Sequence, residues 1–330
     1  MKPSVGWCCG ADFGCGVGRT GCFFGVSNLS IVGPLIQQVL VMFLLMGVGF
    51  CLTRGKILDA RSARDFGKLL INIVLPVIIF KSFWTEFSFA KLNELAVTFS
   101  LSATLLLLAA VVSHVLLRKW PIDNFASAFS NAGFIGIPLV GAVLGEDAVF
   151  LIACMIALLN AAQWTYGQYL LSGSKDCVNL RAIMTSPMVL ALIAGVVVFV
   201  ARIPMIPIAD SLLSLIAALN TPLAMLTLGI YLAQSDLRAL AGTRSLYRVS
   251  AVRLFIIPLL SLLLLSIVLC DKGIKLALLI AAATPTGANV AIFSQQLDKD
   301  YRYACGTVCI TTLLSMLSMP LMIAVGQLVL

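Results

Sequence analysis

Asn131-Ala132-Gly133-Phe134-Ile135-Gly136-Ile137-Pro138 sets a carboxamide, glycines and a proline inside an apolar stretch of membrane-spanning length. A second stretch, Thr284-Pro285-Thr286-Gly287-Ala288-Asn289, uses the same ingredients. In lipid every backbone N–H and C=O needs an internal partner, so a helix broken there is costly unless the break lines a cavity. Proline removes one N–H and clashes with the preceding turn, yet it suits the first position of a new helix. Pro138 is therefore expected to open the second half of a broken helix, with residues 131–137 unwound before it. Thr284-Pro285-Thr286-Gly287 is expected to do the same. Half-helices that begin at such breaks present positive dipole ends and free N–H groups, which together make an anion site without a basic side chain. Asn131 and Asn289 would hydrogen-bond a carboxylate or its polar neighbours. The competing reading is a pair of proline-kinked helices whose asparagines only satisfy backbone groups. Two breaks, each with Asn, Gly and Pro, favour a solute site.

The substrate-binding candidates are thus Asn131, Gly133, Gly136, Pro138, Thr284, Pro285, Gly287 and Asn289. Asn72, Asn160, Gln163, Asn220 and Thr221 are further candidates to line a cavity. Asn160 and Gln163 share one face of a helix, where they either line the cavity or bond a neighbouring helix. Thr307, Thr311, Thr312, Ser315 and Ser318 read as helix-packing residues. His114 and Gln168 read as interfacial, and Arg253 as a side chain that snorkels to the membrane surface.

The elements that must position these residues are all helical. The chain has 330 residues, 61% hydrophobic and 11% charged, with a mean hydropathy of +1.07. A soluble domain carries about 25% charged residues, so this is a polytopic membrane protein. Apolar stretches long enough to cross a hydrocarbon core of about 30 Å are read at residues 33–53, 66–85, 93–117, 124–145, 147–171, 182–202, 208–234, 248–269, 273–297 and 303–328. The net charge of +8 reflects scattered topology signals, with no basic patch for nucleic acid. One set of alternate loops carries fifteen Lys and Arg: Arg54, Lys56, Arg61, Arg64, Lys68, Arg118, Lys119, Lys175, Arg181, Arg238, Arg244, Arg248, Arg253, Lys299 and Arg302. The opposite set carries five: Lys81, Lys91, Arg202, Lys272 and Lys275. The richer side is expected in the cytoplasm of a plasma-membrane protein, with both termini outside.

The prolines disclose a repeat. Pro76 and Pro138 are 62 residues apart, and Pro222 and Pro285 are 63 apart. Each pair sits at matching places in a five-span half, so the halves, 31–171 and 182–330, are expected to be inverted repeats joined by a cytoplasmic linker at 172–181. Inverted repeats put a binding site at the interface of the halves. Residues 1–30 fit neither half and lack the pattern of a signal peptide. They are read as a disordered external tail or as sequence upstream of a true start at Val26 or Leu29. Cys8, Cys9, Cys15 and Cys22 crowd this Gly-rich segment. With a single histidine in the chain and no paired C-x-x-C elements, no zinc or other metal site is expected, and no cofactor.

No Asp or Glu falls at the centre of a span, whereas proton and sodium pumps usually carry one there. A carboxylate-based cation antiporter is disfavoured. A membrane-embedded enzyme is disfavoured too, because one histidine and no mid-span carboxylate leave little material for catalysis.

The residues resemble the auxin efflux carrier family of transporters, from about residue 31 to near the end of the chain. The matching pieces are Gly47-Val48-Gly49-Phe50 before a basic loop, Asn72-Ile73-Val74-Leu75-Pro76 with Ile78-Ile79-Phe80, and Asn131 through Leu139. Pro285-x-Gly287 is similar too, although the surroundings of Asn289 depart from the plant members, which have a second proline nearby. The resemblance implies ten transmembrane helices in two inverted five-helix repeats, with broken, crossing helices four and nine. It also implies an elevator-like motion and a homodimer, and assigns substrate-site roles to Asn131, Pro138 and Pro285. Relatives move dicarboxylates or the carboxylate hormone auxin. The expected function is therefore a secondary transporter of a small organic anion, with Na+ or H+ as an allowed coupling ion. The alternatives are an ion-coupled carrier of another solute such as an amino acid, a channel, or a transport-inactive sensor of the same fold.

Overall fold

Prolines inside apolar helices set the local geometry of this chain. A computed structural model describes residues 32–174, 184–235 and 242–330. The expected tail at 1–30 and most of the expected linker at 172–181 lie outside the described residues. Pro76, Pro138 and Pro258 each follow a π-helical turn, at Leu70–Val74, Ala132–Gly136 and Val252–Ile256. The residue before each proline donates its N–H five positions back: Leu75 to Leu70, Ile137 to Ala132 and Ile257 to Val252. Proline offers no N–H and its ring collides with the carbonyl four residues earlier. The wider turn takes up that collision and keeps the neighbouring backbone groups bonded. This corrects the expectation that residues 131–137 are unwound: the break lies at 129–131, and 132–136 are wound in the wider register.

The described residues form helices and contain no strand. We number them α1 (Val32–Arg54), α2 (Ala60–Phe83), α3 (Phe89–Leu117), α4 (Pro121–Ala128), α5 (Ala132–Leu144), α6 (Glu146–Ser172), α7 (Pro187–Val200), α8 (Pro207–Gln234), α9 (Arg244–Ile267), α10 (Lys272–Ala283), α11 (Asn289–Gln296) and α12 (Tyr301–Val329). Seven of these, α1, α2, α3, α6, α8, α9 and α12, are long and apolar enough to cross a membrane. α5 and α7 are shorter apolar helices. The stretches read as spans four and nine are each divided in two, into α4 with α5 and α10 with α11.

Exposed faces and buried faces divide as they would in lipid. α3 exposes Leu107, Val111 and Val115 at four-residue spacing, and α1 exposes Leu40, Leu44 and Val48 in the same way. Such stripes face hydrocarbon in a membrane protein. By contrast every residue of α10 from Ile274 to Ala283 is buried, so this half-helix is enclosed by others on all sides. α1 and α8 approach at backbone contact. A Cβ on Gly229 would lie 2.2 Å from the Met46 carbonyl oxygen, and one on Gly49 would lie 2.7 Å from that of Leu226. Small residues permit this approach where hydrophobic driving force between helices is weak. At the start of α2, Asp59 accepts hydrogen bonds from the Ser62 amide and hydroxyl. These bonds, the amide first, hold its carboxyl below the usual carboxylate range.

One charged cluster ties α4 to its neighbours. Arg248 of α9 reaches Asp123 of α4 at 2.6 Å and lies 3.5 Å over the Trp120 ring. Tyr303 of α12 donates to Asp123 at 2.7 Å. The Asp123 side chain is 3% exposed, so these partners replace water around its carboxylate oxygens. Lys81–Asp210, at 3.3 Å, is 31% and 46% exposed and is screened by solvent.

Two stability outcomes are expected. Gly229→Val should block the α1–α8 approach and lower stability by about 1–3 kcal/mol or more, read as a fall in melting temperature of the purified protein. Gly47→Val, with open space around its Cβ, should leave it nearly unchanged. Asp123→Ala removes the shared acceptor of the partly buried Arg248 and Tyr303 and should cost about 1–3 kcal/mol, against at most about 1 kcal/mol for Asp210→Ala. Equal effects of the two would show that the Asp123 cluster is not a buried tie.

Candidate functional site

The backbone leaves helical geometry at two places, and those places cross. α4 stops at Ala128 and Phe129 is extended, with φ −110° and ψ 116°. α10 stops at Ala283, and Thr284 is extended at φ −61° and ψ 152°. The two extended pieces pair antiparallel about Ser130 and Thr286. The Asn131 amide donates to the Pro285 carbonyl at 2.8 Å, and the Gly287 amide donates to the Phe129 carbonyl at 3.0 Å. Thr286 adds a hydroxyl bond to the Ala126 carbonyl at 2.9 Å, and its amide donates to the Thr311 hydroxyl at 3.3 Å. Each break thus supplies the partners that the other lacks. Gly287 eases this approach, since a Cβ there would stand 3.0 Å from the Ser130 carbonyl oxygen and press the pairing apart by a few tenths of an ångström.

α5 and α11 start from the crossing, so their first-turn amides have no partner within their own helices. Between them lies a cavity of about 30 Å³. Ser130, Asn131 and Gly133 line it from the first break, Gly287, Ala288 and Asn289 from the second, and Asn160 and Gln163 from α6. Ile71, Leu75, Ile156 and Met188 form apolar walls. The Asn289 amide donates to the Gln163 side-chain oxygen at 2.6 Å. The Asn131 side-chain nitrogen, the Asn160 side-chain oxygen and the Ser130 hydroxyl are buried with no hydrogen-bond partner among the described residues. Buried polar atoms are nearly always bonded, and these atoms belong to residues lining one small space. That space has room for only a few water molecules, so an organic anion would need the walls to move.

A second cavity, of about 970 Å³, reaches the same region from another side. Lys81, Lys91, Glu94, Glu146, Asp147 and Asp210 are among its lining residues, and it extends to Pro138, Asn220 and Thr221. Asn220 stands between the two cavities: it lines the larger one and donates to the Gly133 carbonyl of the smaller at 3.2 Å.

The sequence-derived residues therefore distribute unevenly. Asn131, Gly133, Gly287, Asn289, Asn160 and Gln163 come together at the small cavity, while Pro138, Asn220 and Thr221 lie along the large one. Gly136 packs against Ala281 and Thr284, and Pro285 serves through its carbonyl. Asn72 reaches neither cavity. It is exposed and donates back to the Lys68 carbonyl at 2.9 Å, because the π-helical turn before Pro76 leaves it on the outer face. His114 is exposed beside the Tyr166 hydroxyl at 3.3 Å.

Arg253 requires a correction. The expected snorkelling side chain is 1% exposed and points inward. It donates to the Ser127 carbonyl at 3.0 Å, to the Thr284 carbonyl at 3.1 Å and to the Ala282 carbonyl. These oxygens belong to the C-terminal ends of α4 and α10, and their partial negative charge holds the guanidinium in place of water. A charge inside a span by default faces the protein interior, and that rule was the available signal in the sequence. Removing Arg253 from the loop count leaves the Lys/Arg asymmetry intact.

A family model described as membrane transport protein matches residues 34–184 and 175–323. An "Uncharacterized transporter" of Methanothermobacter thermautotrophicus is 24% identical over 297 residues, covering 86% of this chain and 96% of the relative. A "Putative malonate transporter" of Rhizobium meliloti is 28% identical over 265 residues, covering 74% of this chain and 81% of the relative. The family is one of transporters rather than enzymes. With its apolar helices and matches to the family model across both halves, the chain belongs to the membrane transport protein family, the auxin efflux carrier group that its motifs resemble.

Proposed function

We propose that this protein is a secondary transporter that moves a small organic anion across the plasma membrane by alternating access at the crossing of the two breaks. One observation carries the reading. The crossing gathers the starts of α5 and α11 with Asn131, Asn160, Gln163 and Asn289 around one cavity whose lining, among the described residues, includes no acidic residue. Helix N-termini and carboxamides stabilise a carboxylate in an apolar enclosure, and they offer a cation much less. The name of the Rhizobium relative, a malonate transporter, supports the same substrate class.

The supporting architecture is ten membrane-crossing segments in two inverted repeats, with α4–α5 and α10–α11 as the broken members. The Pro76/Pro138 and Pro222/Pro285 spacings and the matches to the family model in both halves favour it. The Lys/Arg asymmetry favours an extracytoplasmic side for both termini and the large cavity. In that reading the described conformation is open outward down to Asn220, with the substrate cavity collapsed. Sliding the crossing past a scaffold of α1, α2, α7 and α8 would expose the cavity to each side in turn. Coupling to Na+ or H+ would run through carbonyls and amides, and the assembly is proposed to be a homodimer, as the family resemblance implies.

Transport of malonate into proteoliposomes tests the site. Asn131→Ala and Asn289→Ala should each lower kcat/KM by at least about tenfold, as when a buried polar partner of a substrate is removed, with melting temperature retained. Pro138→Ala should also lower flux, whereas Asn72→Ala should not. Unchanged saturable uptake in Asn131→Ala would defeat the site, and non-saturable flux would indicate a channel. Orientation is tested separately: a Thr85→Cys variant should react with a membrane-impermeant maleimide added to intact cells, above the wild-type background.

A further inference from the structure

Arg253 has no place in the sequence motifs, yet it is the residue that touches both broken helices. Its three acceptors are carbonyls at the ends of α4 and α10. It is 1% exposed, and neither ion pair of the described residues, Lys81–Asp210 or Arg248–Asp123, includes it. A guanidinium buried without a carboxylate is stable only where several aligned dipoles replace the missing counter-ion. Four half-helix ends meet at this crossing. The C-terminal ends of α4 and α10 each carry roughly half a negative charge, and the N-terminal ends of α5 and α11 each carry roughly half a positive charge. Left alone, these ends would largely cancel, and the cavity beside them would have little preference for an anion.

We propose that Arg253 is a positioning residue that offsets the two C-terminal ends, so that the two N-terminal ends act on the cavity as about one uncompensated positive charge. This rests on the reading of the crossing as an organic-anion site, and it narrows that reading to substrates presenting one negative charge there. A dicarboxylate would enter singly protonated, or with its second carboxylate outside the field of the crossing. Because Arg253 is bonded to both breaks, its charge travels with the site during the transport movement.

The test measures binding to the purified full-length protein, using malonate, its monomethyl ester and its dimethyl ester as probes of charge two, one and zero. The monoester is expected to bind at least as tightly as malonate above the second ionisation of malonate, and the diester at least about tenfold more weakly than the monoester. Arg253→Gln should weaken the monoester by at least about tenfold, the scale of one buried charge acting through a protein interior. Arg253→Lys, which keeps the charge but has fewer donors in a different geometry, should bind within about threefold of wild type even where its unliganded melting temperature falls. Equal weakening in folded Arg253→Gln and Arg253→Lys would reduce the residue to a structural tie and overturn the proposal. If Arg253→Gln does not fold, the ester series on the wild type decides: equal binding of monoester and diester overturns it. If malonate or its monoester binds the wild type and binding is lost in Asn131→Ala, the anion site stands whatever the Arg253 variants do. If neither binds saturably, the anion-site reading itself falls.

Discussion

Two interrupted helices can lie in an apolar surrounding only if the backbone groups freed by the interruption find partners, and here they find them in each other. The bonds from the Asn131 amide to the Pro285 carbonyl and from the Gly287 amide to the Phe129 carbonyl make a strand pair one bridge long. An unpaired backbone group in hydrocarbon costs several kcal/mol, so neither break is stable without the other. This constraint reaches outward. Thr286 must find Ala126 and Thr311, Gly287 eases the approach by lacking a side chain, and α10 must be enclosed on every side.

The same pairing decides what the cavity can do chemically. By tying the extended segments together it brings the starts of α5 and α11 to one place, and it sends the ends of α4 and α10 to Arg253. Positive and negative helix ends are thereby sorted around one point. The Ser130 hydroxyl and the carboxamides of Asn131, Asn160, Gln163 and Asn289 then line a space whose remaining walls are largely apolar. Such a space offers an unpartnered donor at Asn131 and an unpartnered acceptor at Asn160. The surrounding scaffold is built for close, smooth contact, with Gly49 and Gly229 allowing backbone-level approach of α1 and α8.

Much of this was legible in the residues. Proline and glycine beside Asn131 and Asn289 announce breaks because proline's missing N–H and locked φ act locally, whatever the fold. The apolar runs declare spans because their length is matched to a bilayer. Arg253 was misread because a charge about a turn inside a span can either reach the surface or face inward, and the choice depends on which neighbours lie behind it. Asn72 lies outside both described cavities for a related reason: a π-helical turn rotates the residues around it relative to ordinary helical spacing. The shift from an unwound 131–137 to a break at 129–131 has the same origin, since the wide turn absorbs Pro138 without unwinding.

The sequence by itself determined that this is a multi-pass helical membrane protein with two proline-marked interruptions, and which family it resembles. Those features follow from hydropathy, backbone chemistry and short motifs, all of which act over a few residues. Only the tertiary structure decided that the interruptions cross, that Asn160 and Gln163 join them while Asn72 does not, and that Arg253 caps both helix ends. The crossing of Asn131 with Pro285, the bond of Gln163 to Asn289 and the reach of Arg253 to Ser127 each pair residues more than a hundred positions apart. Such pairings are set by which helices pack together, and no local pattern in the chain encodes that.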